Sequence, residues 1–258
     1  MCGIVGAVSR SNIVPILVQG LQRLEYRGYD SCGVAVHAQG LRRSRSTARV
    51  SELLTQIEQS QLIGGTGIAH TRWATHGAPA VHNAHPHFSH GPGVDASDAQ
   101  PERAGRIALV HNGIIENHDE LREALQIKGY VFSSQTDTEV IAHLLDSLYD
   151  GDMFVALQAT VSQLQGAYAI AVFCKDEPHR LIGARAGSPL ILGVGKDGQE
   201  HFLASDAMAL AGVTDQIVYL DEGDVVDLQR GQYWIEDRLG RRVERVVRTV
   251  QAHTGAAE

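Results

Sequence analysis

The chain has 258 residues, 43% of them hydrophobic, and a net charge of −8. That is enough apolar material for a sizeable core, and the acidity argues against nucleic acid or an anionic membrane surface as the main partner. Apolar runs such as 167–174 and 188–194 are too short to span a bilayer, the amino terminus lacks a secretory pattern, and three cysteines without a CxxC pair fit a reducing, cytoplasmic setting.

In chain order, residues 2–8 read as a buried strand. Asn12 can cap a helix with Pro15 in its first turn, and Ile16, Leu17, Leu21 and Leu24 recur at helical spacing. The stretch 26–31 is turn chemistry leading into a strand at 33–37. Arg42, Arg43, Arg45 and Arg49 read as a solvated face beside a helix opened by Ser51 and carrying Leu53, Leu54 and Ile57. A strand over 67–72 opens into the loop 73–77. Residues 83–106 are rich in His, Pro, Gly, Ser and Asp and predict a long irregular excursion, with 88–105 as a surface loop.

A strand at 106–111 runs into Asn112-Gly113. Residues 120–128 form a helix ended by Gly129. Thr136-Asp137-Thr138-Glu139 has the form of a capping box, with Val140, Ile141, Leu144, Leu145 and Leu148 behind it, and Asp152 caps a further helix through Leu164. After Gly166 the pattern turns to short strands at 167–174, 180–184, 190–194, 202–204, 217–220, 224–228 and 232–236. Antiparallel sheets covered by the earlier amphipathic helices make this an α+β layered fold. Residues 1–240 read as one domain, and 241–258 as a tail or the start of a linker.

Cys2 stands directly behind the initiator methionine. Removal of Met1 would leave a thiol and a free α-amine on one residue. Their ordinary pKa values, about 8.5 and about 7.7–8.0, are close enough for proton exchange near neutrality. Asn112-Gly113 can form an oxyanion hole or simply a tight turn. Arg72 can grip a carboxylate, Trp73 can close over a small ligand, and Asp137 can hold an ammonium or belong to a helix start. His76, His82, His85, His87 and His90 raise the alternative of a metal-binding protein, but they lack the fixed-pair spacing of a metal site. No metal or other cofactor is expected.

MCGIVG at 1–6, RLEYRGYDS at 23–31, GIAHTRWATHG at 67–77, NAHPH at 83–87, VHNGIIENH at 110–118 and TDTEV at 136–140 are more specific together than apart. With GSPL at 187–190 and ASD at 204–206, they make the chain resemble the class II, N-terminal-nucleophile glutamine amidotransferases along essentially its whole length. The resemblance implies a four-layer αββα sandwich of two antiparallel sheets and hydrolysis of L-glutamine to glutamate and ammonia. It implies Cys2 as nucleophile with its own amine as base, and Asn112 and Gly113 as the oxyanion hole. Arg72 would take the glutamine carboxylate and Asp137 its ammonium, with Thr75 and His76 lining the site. Trp73 would lie on a mobile loop that gates ammonia, and Arg27 on the loop beside the nucleophile.

The resemblance further implies that the ammonia serves amino-sugar synthesis from fructose 6-phosphate. The acceptor would be a sugar-isomerase region absent from this chain, in a full-length homo-oligomer. The rival readings are another class II amidotransferase and a non-catalytic regulatory or metal-binding relative.

Overall fold

The computed structural model describes residues 2–93 and 105–250. At its centre lies β1 (Gly3–Val8), buried along its whole length. Its side chains alternate with the period of two that a strand imposes. Val5 and Ala7 join an apolar cluster with Leu17 and Leu21 of α1 (Val14–Leu24), while Ile4 and Val8 join another with Phe173, Leu181 and Leu203. A strand covered on both faces needs no polar side, which is why MCGIVG reads as a continuous apolar run.

Two antiparallel sheets build the molecule. In the first, β1 lies between β4 (Thr66–Arg72) and β10 (His201–Ala204). Beyond β4 come β2 (Ser31–His37) and β3 (Leu41–Ser46), and beyond β10 come β9 (Ile191–Val194), β11 (Gln216–Tyr219) and β15 (Val247–Thr249). The second runs β14 (Arg242–Val243), β13 (Gln232–Glu236), β12 (Val225–Gln229), β8 (Arg180–Ala186), β7 (Gly166–Cys174), β6 (Ile107–Ile115) and β5 (His87–Ser89). α1 and α2 (Val50–Gln59) cover the outer face of the first sheet. α4 (Asp137–Leu148) and α5 (Met153–Val161) cover the second, packing Ile141, Leu145 and Leu157 on Leu109, Ile170 and Val172. α3 (His118–Ile127) leans on α4 through Leu125. The order helix, sheet, sheet, helix is the αββα sandwich.

Several local expectations need correction. Of the arginine cluster, Arg42, Arg43 and Arg45 lie in a strand, and only Arg49 is exposed at the start of α2. β3 pairs with β2, and buried Arg43 lies 4.3 Å over the Phe88 ring while donating to the Pro86 carbonyl. A guanidinium can stack on a ring and bond a carbonyl together, so a charged residue can face inward here. The excursion expected over 83–106 is ordered at its start. Asn83, His85 and His87 are buried, and Phe88, placed in a surface loop, is in β5 and buried; residues 94–104 of that loop lie outside the described residues. β6 does not stop at His111 but continues through Asn112 and Gly113 to Ile115. α5 ends at Val161, short of Leu164. Beyond residue 240, β14 and β15 pair onto the two sheets.

Among the described residues, no helix is long and apolar enough to cross a membrane.

Candidate active site

Strand register gathers the first group of residues. Gly3 pairs with Thr71 and Ser31 with Arg72, so Cys2, Asp30 and Arg72 reach the same end of the first sheet. The Trp73 amide donates to Cys2 Sγ at 3.2 Å, and Sγ lies 3.6 Å from the Trp73 carbonyl. Burial pushes the Cys2 thiol up, against the lowering effects of the Trp73 backbone and the Arg72 charge. Such a thiol needs a base before it becomes a nucleophile.

The second sheet supplies Asn112 and Gly113. They pair with Ala169 and Tyr168 inside β6, so the tight-turn reading of Asn-Gly does not hold. Gly113 has φ 130°, and a Cβ there would lie 2.0 Å from the Ala167 carbonyl oxygen. Only glycine fits this position. Asn112 Nδ2 donates to the Cys2 carbonyl at 3.2 Å, and its Oδ1 is 2.8 Å from His70 Nε2. With the carboxamide oxygen turned to His70, Nε2 is the nitrogen that carries the proton. Burial brings the His70 pKa down to about 3, which keeps the ring neutral.

Arg72 leaves the end of β4 with its side chain buried. Nη2 donates to the carbonyls of His76 and Gly77, the latter at 3.1 Å, and so folds the 73–77 loop around the guanidinium. Nη1 lies 3.6 Å from Asp30 and has no hydrogen-bond partner. Asp137 begins α4 but does not cap it. The cap is Thr136, whose hydroxyl accepts from the Glu139 amide at 3.3 Å. The Glu139 carboxylate completes no reciprocal capping box, because it accepts from the amides and hydroxyls of Ser133 and Ser134. Asp137 instead accepts from the Ile115 amide at 2.9 Å and lies 4.0 Å from His111.

Cys2, Arg72, Trp73, Thr75, His76, Gly113 and Asp137 line one narrow cleft, and Asn112 underlies it through the Cys2 carbonyl. Arg27 is outside that lining; it is ion-paired with Asp206. Trp73 is exposed and packs over Gly28, where a Cβ would lie 2.8 Å from the indole. His85, His111, Thr136 and Thr138 also line the cleft and had not been singled out for it. Three buried nitrogens in this lining lack hydrogen-bond partners: Arg72 Nη1, His76 Nδ1 and His85 Nε2. Unmet polar atoms converging on one cleft mark a place where a ligand completes the bonding.

The other histidines of this stretch bond within the protein except His90, whose buried Nδ1 also has no hydrogen-bond partner. His87 contacts the Thr136 hydroxyl at 3.0 Å, and His82 the Gln135 carboxamide oxygen at 3.2 Å. His85 Nδ1 is 2.9 Å from His70. Burial holds both His85 and His87 well below the ordinary imidazole range. Among the described residues, no group of three or more His, Cys, Asp or Glu side chains is arranged to hold a metal ion.

Asn83 ties the two walls of the cleft. Its Nδ2 donates to the Ala78 carbonyl (2.9 Å) and to Gln135 Oε1 (2.7 Å), and its Oδ1 accepts from the Gln135 amide (3.0 Å). The loop after Arg72 is thereby clipped to the segment that leads into Asp137. The only sequence signal was NAHPH as a motif.

A family model for a glutamine amidotransferase domain matches residues 89–212. Fold, cleft and sequence together liken the chain to the glutamine amidotransferase domains of class II, the N-terminal-nucleophile kind. Within that class it is similar over its whole length to glutamine–fructose-6-phosphate aminotransferases (isomerizing). The Bordetella pertussis protein is 66% identical over 100% of this chain and 41% of its own length. The Pseudomonas putida protein is 53% identical over 99% of this chain and 40% of its own. The chain thus spans about two fifths of these relatives. Among solved structures, the B. subtilis glutamine phosphoribosylpyrophosphate amidotransferase, complexed with ADP and GMP, shares the fold. Its TM-score is 0.76 at 24% identity, over 92% of this chain and 49% of that one.

Proposed function

We propose that the chain hydrolyses L-glutamine to L-glutamate and ammonia, with Cys2 as the nucleophile. The observation that carries this reading is one cleft lined by the Cys2 thiol, a buried guanidinium with an unbonded nitrogen, and the Asp137 carboxylate, with the Asn112 carboxamide fixed against the nucleophile's own carbonyl. Arg72 takes the α-carboxylate and Asp137 the α-ammonium of free glutamine. Thr75 and His76 close the wall beside them.

Once Met1 is removed, the Cys2 α-amine accepts the thiol proton and Sγ attacks the glutamine side-chain carbonyl carbon. The oxygen gains negative charge, which the second N–H of Asn112 Nδ2 and the Gly113 amide stabilise. The protonated amine returns its proton to the departing nitrogen, the C–N bond breaks, and ammonia leaves a γ-glutamyl thioester. Water then adds with the amine as base, and glutamate leaves as the thiol re-forms.

The full-length relatives point to a larger setting. The ammonia feeds glucosamine 6-phosphate synthesis from fructose 6-phosphate on a sugar-isomerase region outside this chain, in a cytoplasmic homo-oligomer. Trp73 acts at the mouth of the cleft in ammonia transfer, and Arg27 from the loop beside the nucleophile. Identity of 66% and 53% to these enzymes favours this over another class II amidotransferase.

Glutamate release from L-glutamine tests the core of the reading. Cys2→Ala is expected to abolish it, whereas Cys32→Ala and Cys174→Ala retain it, since both thiols are buried and Cys32 is pushed up to about 12. Retained turnover in Cys2→Ala would overturn the assignment.

A further inference from the structure

The opposite end of the same strands carries a second recess, roughly 20 Å from Cys2 along six strand residues at ~3.3 Å each. The β1–α1 loop, the β2–β3 hairpin, the α2–β4 connection and the β12–β13 hairpin enclose about 490 Å³. That volume is in the range of small-ligand pockets.

Its charge is one-sided. Arg10, Arg42 and Arg230 line it together with His37, and no Asp or Glu does. None of these arginines forms an ion pair among the described residues. Arg42 gives one N–H to the Ser60 carbonyl at 2.8 Å, and Arg230 Nε is buried with no hydrogen-bond partner. In a chain where 30 acidic residues outnumber 22 basic ones, three unpaired guanidiniums around one recess are not an average surface. Their field reaches His179, held below the ordinary imidazole range by burial and then by the charge of Arg230 and by His37.

The backbone singles out the same place. Among the described residues, the non-glycine positions with positive φ are Gln39 (54°) and Gln61 (49°), and both line this recess. Gln61 occupies the left-handed position that ends α2, with the Leu62 amide donating to the Ile57 carbonyl at 3.1 Å. Glycine is the usual residue there. Gly65 keeps Arg230 close: a Cβ at that position would lie 2.8 Å from its guanidinium.

We infer that this recess binds a small phosphate-bearing anion. Guanidiniums offer paired donors that match phosphate oxygens. The space beyond one phosphate accommodates an organic group against Ala38 and Ile63.

Isothermal titration of the chain with inorganic phosphate and with glucose 6-phosphate, each against sodium chloride at equal ionic strength, tests this. Saturable binding of at least one phosphate probe is expected. Equal affinity for the two identifies the free anion as sufficient, and tighter binding of the ester shows that the organic group is used. Arg10→Gln and Arg230→Gln should each weaken binding by about tenfold or more, with glutamate release unchanged. Arg10 is exposed and unpaired, so its substitution leaves the fold intact even if Arg230→Gln does not. Three results would overturn the inference: no saturable binding above the chloride control at about 10 mM probe, binding unaffected by the triple substitution Arg10→Gln, Arg42→Gln and Arg230→Gln, or binding lost in Arg72→Gln, which would place the anion in the catalytic cleft.

Discussion

The two ends of the first sheet treat polar groups in opposite ways. At the Cys2 end, Asn112, His70, Asp137 and the Arg72 Nη2 are held by specific partners, and only a few nitrogens in the cleft remain unmet. At the Arg10 end, the charges have no counter-ions among the described residues and the cavity is wider. The first arrangement is preorganised, which suits a reaction whose charge develops at one fixed point. The second supplies field without fixed geometry, which suits attraction of an anion. Strands with both ends at loops can therefore carry two unrelated chemistries, one at each edge.

Substitutions at the catalytic end should break this contrast most. Asn112→Ala should lower kcat by roughly 10²–10³-fold with little change in KM, because the lost donor acts mainly on the developing oxyanion; steady-state kinetics separate the two. Next in size, Arg72→Ala should reduce kcat/KM for glutamine by about ten- to a hundredfold. Arg72→Lys should recover only part of that, since an ammonium cannot reproduce a two-pronged contact. A smaller effect is expected at Asn83, which touches no substrate. Asn83→Asp keeps the acceptor for the Gln135 amide but removes both donated bonds, so KM should rise by about tenfold with kcat nearly unchanged. Equal loss in kcat would mean that the clip reaches the nucleophile.

A last effect, on stability rather than turnover, is a dependence on pH. His70 has a folded pKa near 3, below its unfolded value of about 6.5. Between those values the unfolded chain binds more protons, so stability rises with pH through the window and is lost on acidification. One such histidine contributes a slope of up to about 1.4 kcal/mol per pH unit. Denaturant melts at pH 5 and pH 7 should show this loss, and His70→Gln should reduce it.

Much of the architecture was legible because the periodicities were clean. The buried strand at 2–8, Pro15 in the first turn of α1 and Asp152 as the α5 cap all follow from local chemistry. The failures came where tertiary partners overrode composition. Arg43 reads as solvent-facing until Phe88 and the Pro86 carbonyl are brought beneath it. Asn112-Gly113 reads as a turn until Ala167 is placed against the glycine. The cleft was visible as separate motifs, but no local pattern reveals that His70 orients Asn112 or that Asn83 bridges to Gln135. Those are contacts across 42 and 52 residues, and a partnerless buried atom such as His85 Nε2 has no signature in sequence at all.

The central claim is that Cys2 acts through its own freed α-amine. The most direct measurement treats a mixture of processed and Met1-retaining protein with a glutamine-like diazo-ketone, followed by intact-mass and peptide mass spectrometry. The account predicts one adduct, on Cys2, confined to molecules that have lost Met1. Equal labelling of Met1-retaining molecules, or an adduct on Cys32 or Cys174, would contradict it.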